Sequence, residues 1–302
     1  MGVQASITLY ADDEATAKEA AAAAFERLDT LEAVMSDYRP DSELMRLSNA
    51  AGDGPVPVSE DLYRALEVAR RFAQMSSGAF DPTVGAVSIL WREARATETI
   101  PDRAAILNAL PRVGFFRMRL NEDPGRDRRT VELDLPGMRL DLGGIGKGFA
   151  ADEALEVLRA RGVGRALVDL GGDLVAGDPP PGADGWSVTI RTHDPERDDS
   201  TITLTNRAIA TSGDLEQFIE HEGVRYSHVI DPRTGYGLTT RVAVTVLAPD
   251  GATADALASA ISVLGPKDGL ALAQRFEGVA TRIAIRGESS TQIRASADFP
   301  VH

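Results

Sequence analysis

A glycine-rich stretch, Asp141–Asp152 (DLGGIGKGFAAD), constrains this chain more than any other part of its sequence. It holds one lysine, Lys147, and four glycines: Gly143, Gly144, Gly146 and Gly148. Glycine accepts a positive φ and allows close backbone approach, and a helix N-terminus points free N–H groups at an anion. A helical pattern over 149–161 follows and ends before Gly162. We therefore interpret the stretch as a phosphate cradle at a helix N-terminus; the alternative is a tight turn that binds nothing.

The spacing of this loop excludes two widespread phosphate-binding motifs. A Walker A loop would place glycine at position 141 and Ser or Thr at 148, where this chain has Asp141 and Gly148. A Rossmann loop needs G-x-G-x-x-G, whereas this one reads G-x-G-x-G from Gly144. Lysine occurs only at positions 18, 147 and 267 among 32 basic residues. A lysine inside the loop therefore indicates a use for a compact ammonium group.

Charge and composition remove several classes of function. The net charge is −14 and 43% of residues are hydrophobic, which is typical of a globular protein and argues against a nucleic-acid-binding surface. The absence of cysteine excludes disulfides and thiolate chemistry. The four histidines lack H-x-x-x-H spacing, so a histidine-rich zinc site is not expected. No apolar run reaches the roughly 18 residues of a membrane span, and no signal peptide is visible.

The order of the predicted elements favours an α+β fold. Helices and strands mix without the regular βαβ alternation of a doubly wound sheet. We place no domain boundary and treat 1–302 as a single domain. Helices are predicted from Asp12 or Asp13 to about Met35, after Ser42, from Ser59 to about Met75, over about Asp102–Leu110, and from Asp250 or Thr253 to a break at Gly265-Pro266. The stretch Ser76–Trp91 is interpreted as a rigid irregular loop because it contains Asp81-Pro82 and two glycines.

Three further places could carry chemistry. Asp255 and Ser259 are four residues apart on a predicted helix, so a carboxylate and a hydroxyl share one face and suit Mg²⁺ or Ca²⁺. The alternative for Asp255 is a carboxylate that balances the helix dipole; we expect it at the surface end of the helix. His228 precedes Asp231-Pro232 at a strand end and is either functional or a hydrogen-bonded structural histidine. Tyr38 lies in a turn, where it either packs or stacks on a ring.

Taken together, the motifs resemble those of the ApbE family, the FAD:protein FMN transferases. The resemblance covers nearly the whole chain, and its motifs occur in the family's order. The matching stretches are Ser36–Asn49 (SDYRPDSELMRLSN), Ser77–Gly85 (SGAFDPTVG), Asp141–Asp152, Val168–Leu174 (VDLGGDL), Thr211–Asp214 (TSGD), Ser227–Gly235 (SHVIDPRTG) and Ala254–Gly265 (ADALASAISVLG).

The resemblance implies an α-β roll, with mixed or antiparallel sheets flanked by helices, that binds FAD and Mg²⁺. The family transfers FMN from FAD to a Thr or Ser hydroxyl of a flavin-acceptor protein and releases AMP. Carried over by position, the Mg²⁺ ligands are the Gly144 carbonyl, Asp255 and Ser259. The catalytic candidates are Asp255 and His228, and we expect His228 either to orient the phosphates or to relay a proton from the acceptor hydroxyl. The implied FAD contacts are Met1, Tyr38, Ala79, Phe80, Asp81, Asp141, Lys147 and Ile230.

Two positions depart from the family's pattern. Ser259 stands where the family often has threonine, which preserves the hydroxyl, and Ala258 replaces a carboxylate that some members have.

Two other functions stay open: a Mg²⁺-dependent FAD pyrophosphatase that gives FMN and AMP, and a flavin-binding protein without turnover. Bacterial members are commonly exported. We therefore expect either a cytoplasmic protein or an exported one whose leader is absent from this chain.

Overall fold

Residues 3–97, 99–123, 125, 128–191, 199–213, 218–287 and 290–300 are described by the structure, which is a computed structural model. The α-helices in these ranges are α1 (Glu14–Met35), α2 (Glu43–Asn49), α3 (Glu60–Met75), α4 (Gly85–Ala96), α5 (Arg103–Ala109), α6 (Gly146–Ala160) and α7 (Gly251–Ala273). The strands are β1 (Ala5–Leu9), β2 (Val56–Pro57), β3 (Met118–Asp123), β4 (Arg128–Leu133), β5 (Ala166–Leu170), β6 (Asp173–Ala176), β7 (Trp186–Ile190), β8 (Ser200–Leu204), β9 (Arg207–Gly213), β10 (Phe218–His221), β11 (Val224–Ser227), β12 (Val242–Ala248), β13 (Ala280–Arg286) and β14 (Thr291–Ala295).

Most helices start and stop where the sequence signals it. The hydroxyls of Ser42 and Ser59 accept backbone N–H groups of α2 and α3 at 3.0 and 3.2 Å, and Asp250 caps α7 at 2.7 Å. Each such cap is worth about 1 kcal/mol because it satisfies an amide that the helix leaves open. Gly162 follows α6 with φ +78°, and Gly265 interrupts α7 with φ +74°. These boundaries confirm the capping and breaking signals.

The prediction of an irregular loop over Ser76–Trp91 is wrong for its second half, because α4 begins at Gly85. Gly85 is not a helix breaker here. A Cβ at this position would lie 2.7 Å from the carbonyl oxygen of Arg139, so glycine permits a close approach of two backbones. Val87 and Trp91 of α4 are buried, and this packing outweighs the weak local signal.

The chain divides into two compact units, which we describe separately. The first unit comprises Met1–Thr30, Ile145–Leu215 and Thr240–His302. Its seven-stranded sheet has the order β1-β5-β6-β9-β12-β13-β14, and every neighbouring pair in it is antiparallel. Helices α6 and α7 pack against this sheet. The hairpin of β7 and β8 contributes Trp186 to an apolar cluster that also contains Phe299.

The second unit comprises Leu31–Gly144 and Glu216–Thr239. It contains a three-stranded antiparallel sheet in the order β2-β4-β3, the β10-β11 hairpin and helices α2 to α5. Its apolar cluster surrounds Trp91, whose indole N–H donates to the Gly235 carbonyl at 2.8 Å. The antiparallel sheets and flanking helices of the two units confirm the α+β class. None of the helices in the described ranges combines the length and the apolarity that crossing a membrane requires.

Candidate functional site

The glycine-rich loop opens directly onto α6, as the sequence indicates, but the helix starts earlier than predicted. It begins at Gly146, whereas the helical pattern suggested a start near Phe149. The predicted freedom for positive φ is not used, since none of the four loop glycines has a positive φ. Close approach to another backbone is seen for one of them, Gly148.

Gly148 lies where the backbones of two helices approach each other closely. A Cβ on Gly148 would collide with the carbonyl group of Gly251, and a Cβ on Gly251 would meet the carbonyl oxygen of Gly148 at 2.5 Å. The first turns of α6 and α7 thus cross backbone to backbone inside the first unit. Asp152 reinforces the crossing, because its carboxylate accepts the N–H groups of Gly251 and Ala252 at 2.7 and 2.9 Å. Helix packing, which sequence reasoning did not consider, explains this glycine.

The crossing brings two buried carboxylates to one lysine, a group that we call the lysine cluster: Lys147, Asp173 and Asp255. Lys147 donates a hydrogen bond to Asp173, and its ammonium lies 3.8 Å from Asp255. The backbone N–H of Gly148 donates to Asp255 at 3.2 Å. The side chains of Asp173 and Asp255 are only 5% and 6% exposed. A carboxylate of the protein itself therefore occupies part of the predicted phosphate cradle.

The lysine cluster carries more negative charge than its one cation balances. Burial raises the pKa of Asp255, although Lys147 and backbone N–H groups oppose that rise. Burial and then repulsion by Asp255 raise the pKa of Asp173. Burial alone would lower the pKa of Lys147, but the two carboxylates outweigh it and raise the pKa above its ordinary value. Two carboxylates beside one lysine are electrostatically suited to a further cation.

The donor atoms near α7 fit a hard metal ion. Asp255 supplies a carboxylate, and Ser259 supplies a hydroxyl one turn later on a half-buried position. No cluster of three or more His, Cys, Asp or Glu residues suited to a metal occurs among the described residues. The described residues therefore offer no soft or histidine-rich ligand set for a metal. They are compatible with a hard ion that keeps water or phosphate oxygens among its ligands. The expectation that Asp255 lies at the surface end of its helix is wrong, since the residue is buried.

In the second unit the Ser77–Gly85 stretch and Asp141 adjoin. The N–H of Asp141 donates to the Pro82 carbonyl at 2.8 Å. Asp81 is buried, and its carboxylate accepts the Thr83 N–H and hydroxyl at 2.8 and 2.6 Å and the Phe115 N–H at 2.9 Å. Burial nevertheless raises the pKa of Asp81. Its carboxylate is thus occupied in fixing the loop, beside the equally buried Ala79 and Phe80.

A second charged group, which we call the arginine cluster, comprises Arg92, Asp37 and Asp141. Arg92 of α4 donates to the carboxylate of Asp37 and, at 3.4 Å, to that of Asp141. Burial, and then repulsion by Asp141, raise the pKa of Asp37 against the opposing effect of Arg92. The guanidinium carbon of Arg92 lies 4.1 Å from the centre of the Tyr38 ring. Tyr38 itself is 68% exposed, so it is not the core residue that one interpretation allowed.

His228 and Ile230 follow β11 in the second unit. His228 is exposed and comes directly after the buried Ser227, whose hydroxyl accepts the Val229 N–H at 3.0 Å. Ile230 packs against the apolar cluster around Trp91 and pairs with Gly237. The strand end thus presents the imidazole outward from a fixed turn, a position from which a side chain can reach a bound molecule.

The outcome for the predicted site residues differs from one to the next. Lys147 and Asp255 come together in the first unit, and Tyr38 and Asp141 both adjoin Arg92 in the second. Met1 lies outside the described residues. Sequence reasoning missed three charged side chains. Asp173 had a usable signal in the Gly-Gly-Asp of its stretch, whereas Asp37 and Arg92 had none beyond their charge.

The comparisons of this chain with known proteins all point to one family. A family model described as the ApbE family matches residues 1–283. A protein of Treponema pallidum named FAD:protein FMN transferase is 40% identical over 269 residues, which are 84% of this chain and 74% of that protein. A protein of the same name from Klebsiella pneumoniae is 33% identical over 272 residues, covering 88% and 77% of the two chains.

Solved structures agree with the sequences. The flavin transferase ApbE from Vibrio cholerae superposes with a TM-score of 0.85 at 28% identity and covers 99% of this chain and 95% of that one. The ApbE protein from Thermotoga maritima superposes with a TM-score of 0.83 at 31% identity, covering 98% and 94%. The fold therefore agrees over almost the full length of this chain.

Proposed function

The chain belongs to the ApbE family, and from this premise we propose that it is a FAD:protein FMN transferase. It moves the FMN half of FAD onto a threonine or serine hydroxyl of a flavin-acceptor protein and releases AMP. The observation that carries the proposal is the family match over residues 1–283, with relatives named for this activity at up to 40% identity in the pairs described above.

Magnesium is the metal in this proposal, held by Asp255, Ser259 and the Gly144 carbonyl. All three donors are oxygen atoms, which Mg²⁺ prefers. The surplus negative charge of Asp173 and Asp255 over Lys147 supports a cation at this place. When bound, the ion would neutralise charge on phosphoryl oxygens and on the departing AMP.

The FAD contacts are proposed from the family match and the surroundings of each residue. Tyr38 offers an exposed ring for stacking, and Asp141 offers a carboxylate held by Arg92. Asp81 fixes the backbone of the segment that presents Ala79 and Phe80. Lys147 contributes positive charge at the start of α6, and Ile230 contributes an apolar contact; Met1 is assigned by the family match alone.

The chemical step needs a nucleophile that the acceptor protein supplies. The acceptor's hydroxyl oxygen forms a bond to the phosphorus of the FMN half, and the bond from that phosphorus to the oxygen of AMP breaks. His228 takes the hydroxyl proton in this proposal, because imidazole is a common general base and this one lies exposed at a fixed turn. Because the acceptor supplies the hydroxyl, the proposed site residues need not form a nucleophile–base–orienter triad.

An assay with FAD, Mg²⁺ and a purified flavin-acceptor domain tests the proposal. Covalent flavin fluorescence on the denatured acceptor, with AMP in equal amount, is the expected result. The matched control is the same domain with its acceptor Thr or Ser replaced by Ala, which should stay unlabelled. FMN and AMP without labelling would replace the transferase by the pyrophosphatase, and intact bound FAD would leave only a flavin-binding protein.

A further inference from the structure

Tyr38 is an exposed aromatic residue whose ring is covered on one face by a cation. The ring follows α1 in a turn, and the side chain keeps 68% of its surface in solvent although Arg92 lies 4.1 Å from its centre. A guanidinium at this distance is within the range of a cation–π interaction. One face of the ring is therefore backed, while the remainder is open to a planar partner.

Arg92 is itself held firmly. Its guanidinium donates to the carboxylate and, at 3.5 Å, to the carbonyl of Asp37, the residue before Tyr38. It also donates at 3.4 Å to the carboxylate of Asp141, the first residue of the glycine-rich stretch. Its neighbour Trp91 anchors α4 through the Gly235 carbonyl. Only a planar group can donate in its plane to two carboxylates and stack by its face at the same time.

We propose that Arg92 is a positioning residue for FAD: it fixes the Tyr38 ring and the Asp141 carboxylate in one arrangement before the ligand arrives. This inference rests on the proposed function, because it takes FAD as the ligand. An exposed tyrosine loses rotamer freedom when a ligand orders it, and a ring that is already backed loses less. Arg92 thus strengthens stacking on one of the two ring systems of FAD without touching the ligand.

The test measures binding of the two halves of FAD separately. Titrations with FMN and with AMP, in Mg²⁺ buffer, avoid turnover because neither half contains the bond that breaks. The variants are Arg92→Met and Arg92→Lys, with Arg95→Met as the control on the same helix. Arg95 is also half-buried, and its Nε donates to the Trp91 carbonyl at 3.4 Å. Thermal midpoints recorded in parallel report whether each variant is folded.

Arg92→Met should weaken binding of one half about tenfold and leave the other half unchanged. Arg92→Lys keeps the charge beside Asp37 and Asp141, so it should fold normally, yet it should still weaken the same half severalfold. In a Tyr38→Ala background, Arg92→Lys should cause no further loss. The half that is affected identifies which ring stacks on Tyr38.

Three results would overturn the inference: equal loss for both halves, full affinity in Arg92→Lys, or unchanged binding in Arg92→Met. Each would mean that Arg92 only balances charge or supports the fold. The proposed function fails differently. If the unaltered protein binds FAD and labels the acceptor while the variants bind FMN and AMP normally, only the role of Arg92 is lost. If the unaltered protein binds no FAD, the function itself is lost.

Discussion

The two charged clusters each place one cation between two aspartates, but they differ in burial and in the shape of the cation. In the lysine cluster both carboxylates are almost fully buried, and the cation is a compact ammonium. In the arginine cluster the side chains of Asp37 and Asp141 are 13% and 16% exposed, and the cation is a planar guanidinium that also covers an aromatic ring.

This difference teaches what each cation is for. A buried pair of carboxylates costs free energy unless more positive charge is present, so the lysine cluster is suited to gain a metal ion. The carboxylates of the arginine cluster are less deeply buried, so they need a further cation less. Its arginine instead uses geometry to hold two neighbouring groups. In the function proposed above, the lysine cluster would therefore hold the metal ion, and the arginine cluster would position FAD.

The largest expected effect separates the clusters by activity. Asp255→Asn should reduce AMP release about a thousandfold, because it removes a proposed metal ligand while nearly keeping the shape. Added Mg²⁺ should raise the thermal midpoint of the unaltered protein and not that of the variant. The counterpart Asp37→Asn should lower the rate only severalfold. Undiminished AMP release by Asp255→Asn, or equal losses in both variants, would contradict the distinction.

The next effect is on stability. Lys147→Met leaves two buried carboxylates without a cation and should lower the free energy of unfolding by about 3–5 kcal/mol. Arg92→Met, in the more exposed cluster, should lower it by about 1–3 kcal/mol. The two tryptophans allow each unit to be followed by fluorescence in urea, since Trp186 lies in the first unit and Trp91 in the second.

Single-tryptophan versions, made with Trp91→Phe or Trp186→Phe, provide the control for that measurement. Lys147→Met should shift the Trp186 transition more than the Trp91 transition, and Arg92→Met should do the reverse. Equal shifts of both transitions in both variants would show that the clusters stabilise the whole chain alike.

A smaller effect concerns the glycines beside the lysine cluster. Gly148→Ala should destabilise the protein by about 1–3 kcal/mol, because the added methyl group meets the backbone of Gly251. Gly143→Ala is the matched control: its Cβ would lie 3.0 Å from a carboxylate oxygen of Asp141, a much milder contact than the backbone collision at Gly148. Urea midpoints of the two variants decide the matter, and equal losses would contradict a role for the helix crossing.

The smallest expected effect is a pH dependence in the first unit. Burial raises the pKa of Asp152 to about 7 from an ordinary value of 3.8, although two N–H groups oppose the rise. The folded state then binds more protons than the unfolded state between these values, so stability falls as pH rises through this window. Asp152→Asn cannot ionise. The variant's thermal midpoint relative to that of the unaltered protein should therefore increase from pH 5 to pH 8.

The exposed Asp12→Asn serves as the control for this series. A difference for Asp152→Asn that stays constant or decreases with pH would show that its two N–H bonds outweigh burial. The same scan of the Trp91 transition tests whether the raised pKa of Asp37 has a parallel effect in the second unit.

Sequence reasoning reached the parts of this molecule that depend on local chemistry. Caps at Ser42, Ser59 and Asp250, and the break at Gly265, are decided by one or two neighbouring residues. The spacing of Asp255 and Ser259 similarly needs only a helix. The family resemblance, now confirmed by the match over residues 1–283, supplied the order of the motifs.

What the sequence did not reveal depends on residues that are distant in the chain. Gly85 was interpreted as a helix breaker because the backbone that requires a glycine there, at Arg139, lies 54 positions away in the chain. Burial of Asp255 requires the crossing of α6 over α7, and the partnership of Arg92 with Asp37 requires α4 to exist. Such contacts are products of packing, and no periodicity within one segment encodes them.

The backbone crossing at Gly148 and Gly251 has a practical consequence for protein engineering. A designer who transplanted the Asp141–Asp152 stretch into another scaffold would carry over the glycines and the lysine but not the partner that seats Asp255 beside them. The smallest transferable part is therefore the pair α6 and α7, with a glycine in each helix where their backbones cross. The new scaffold must have room for both helices.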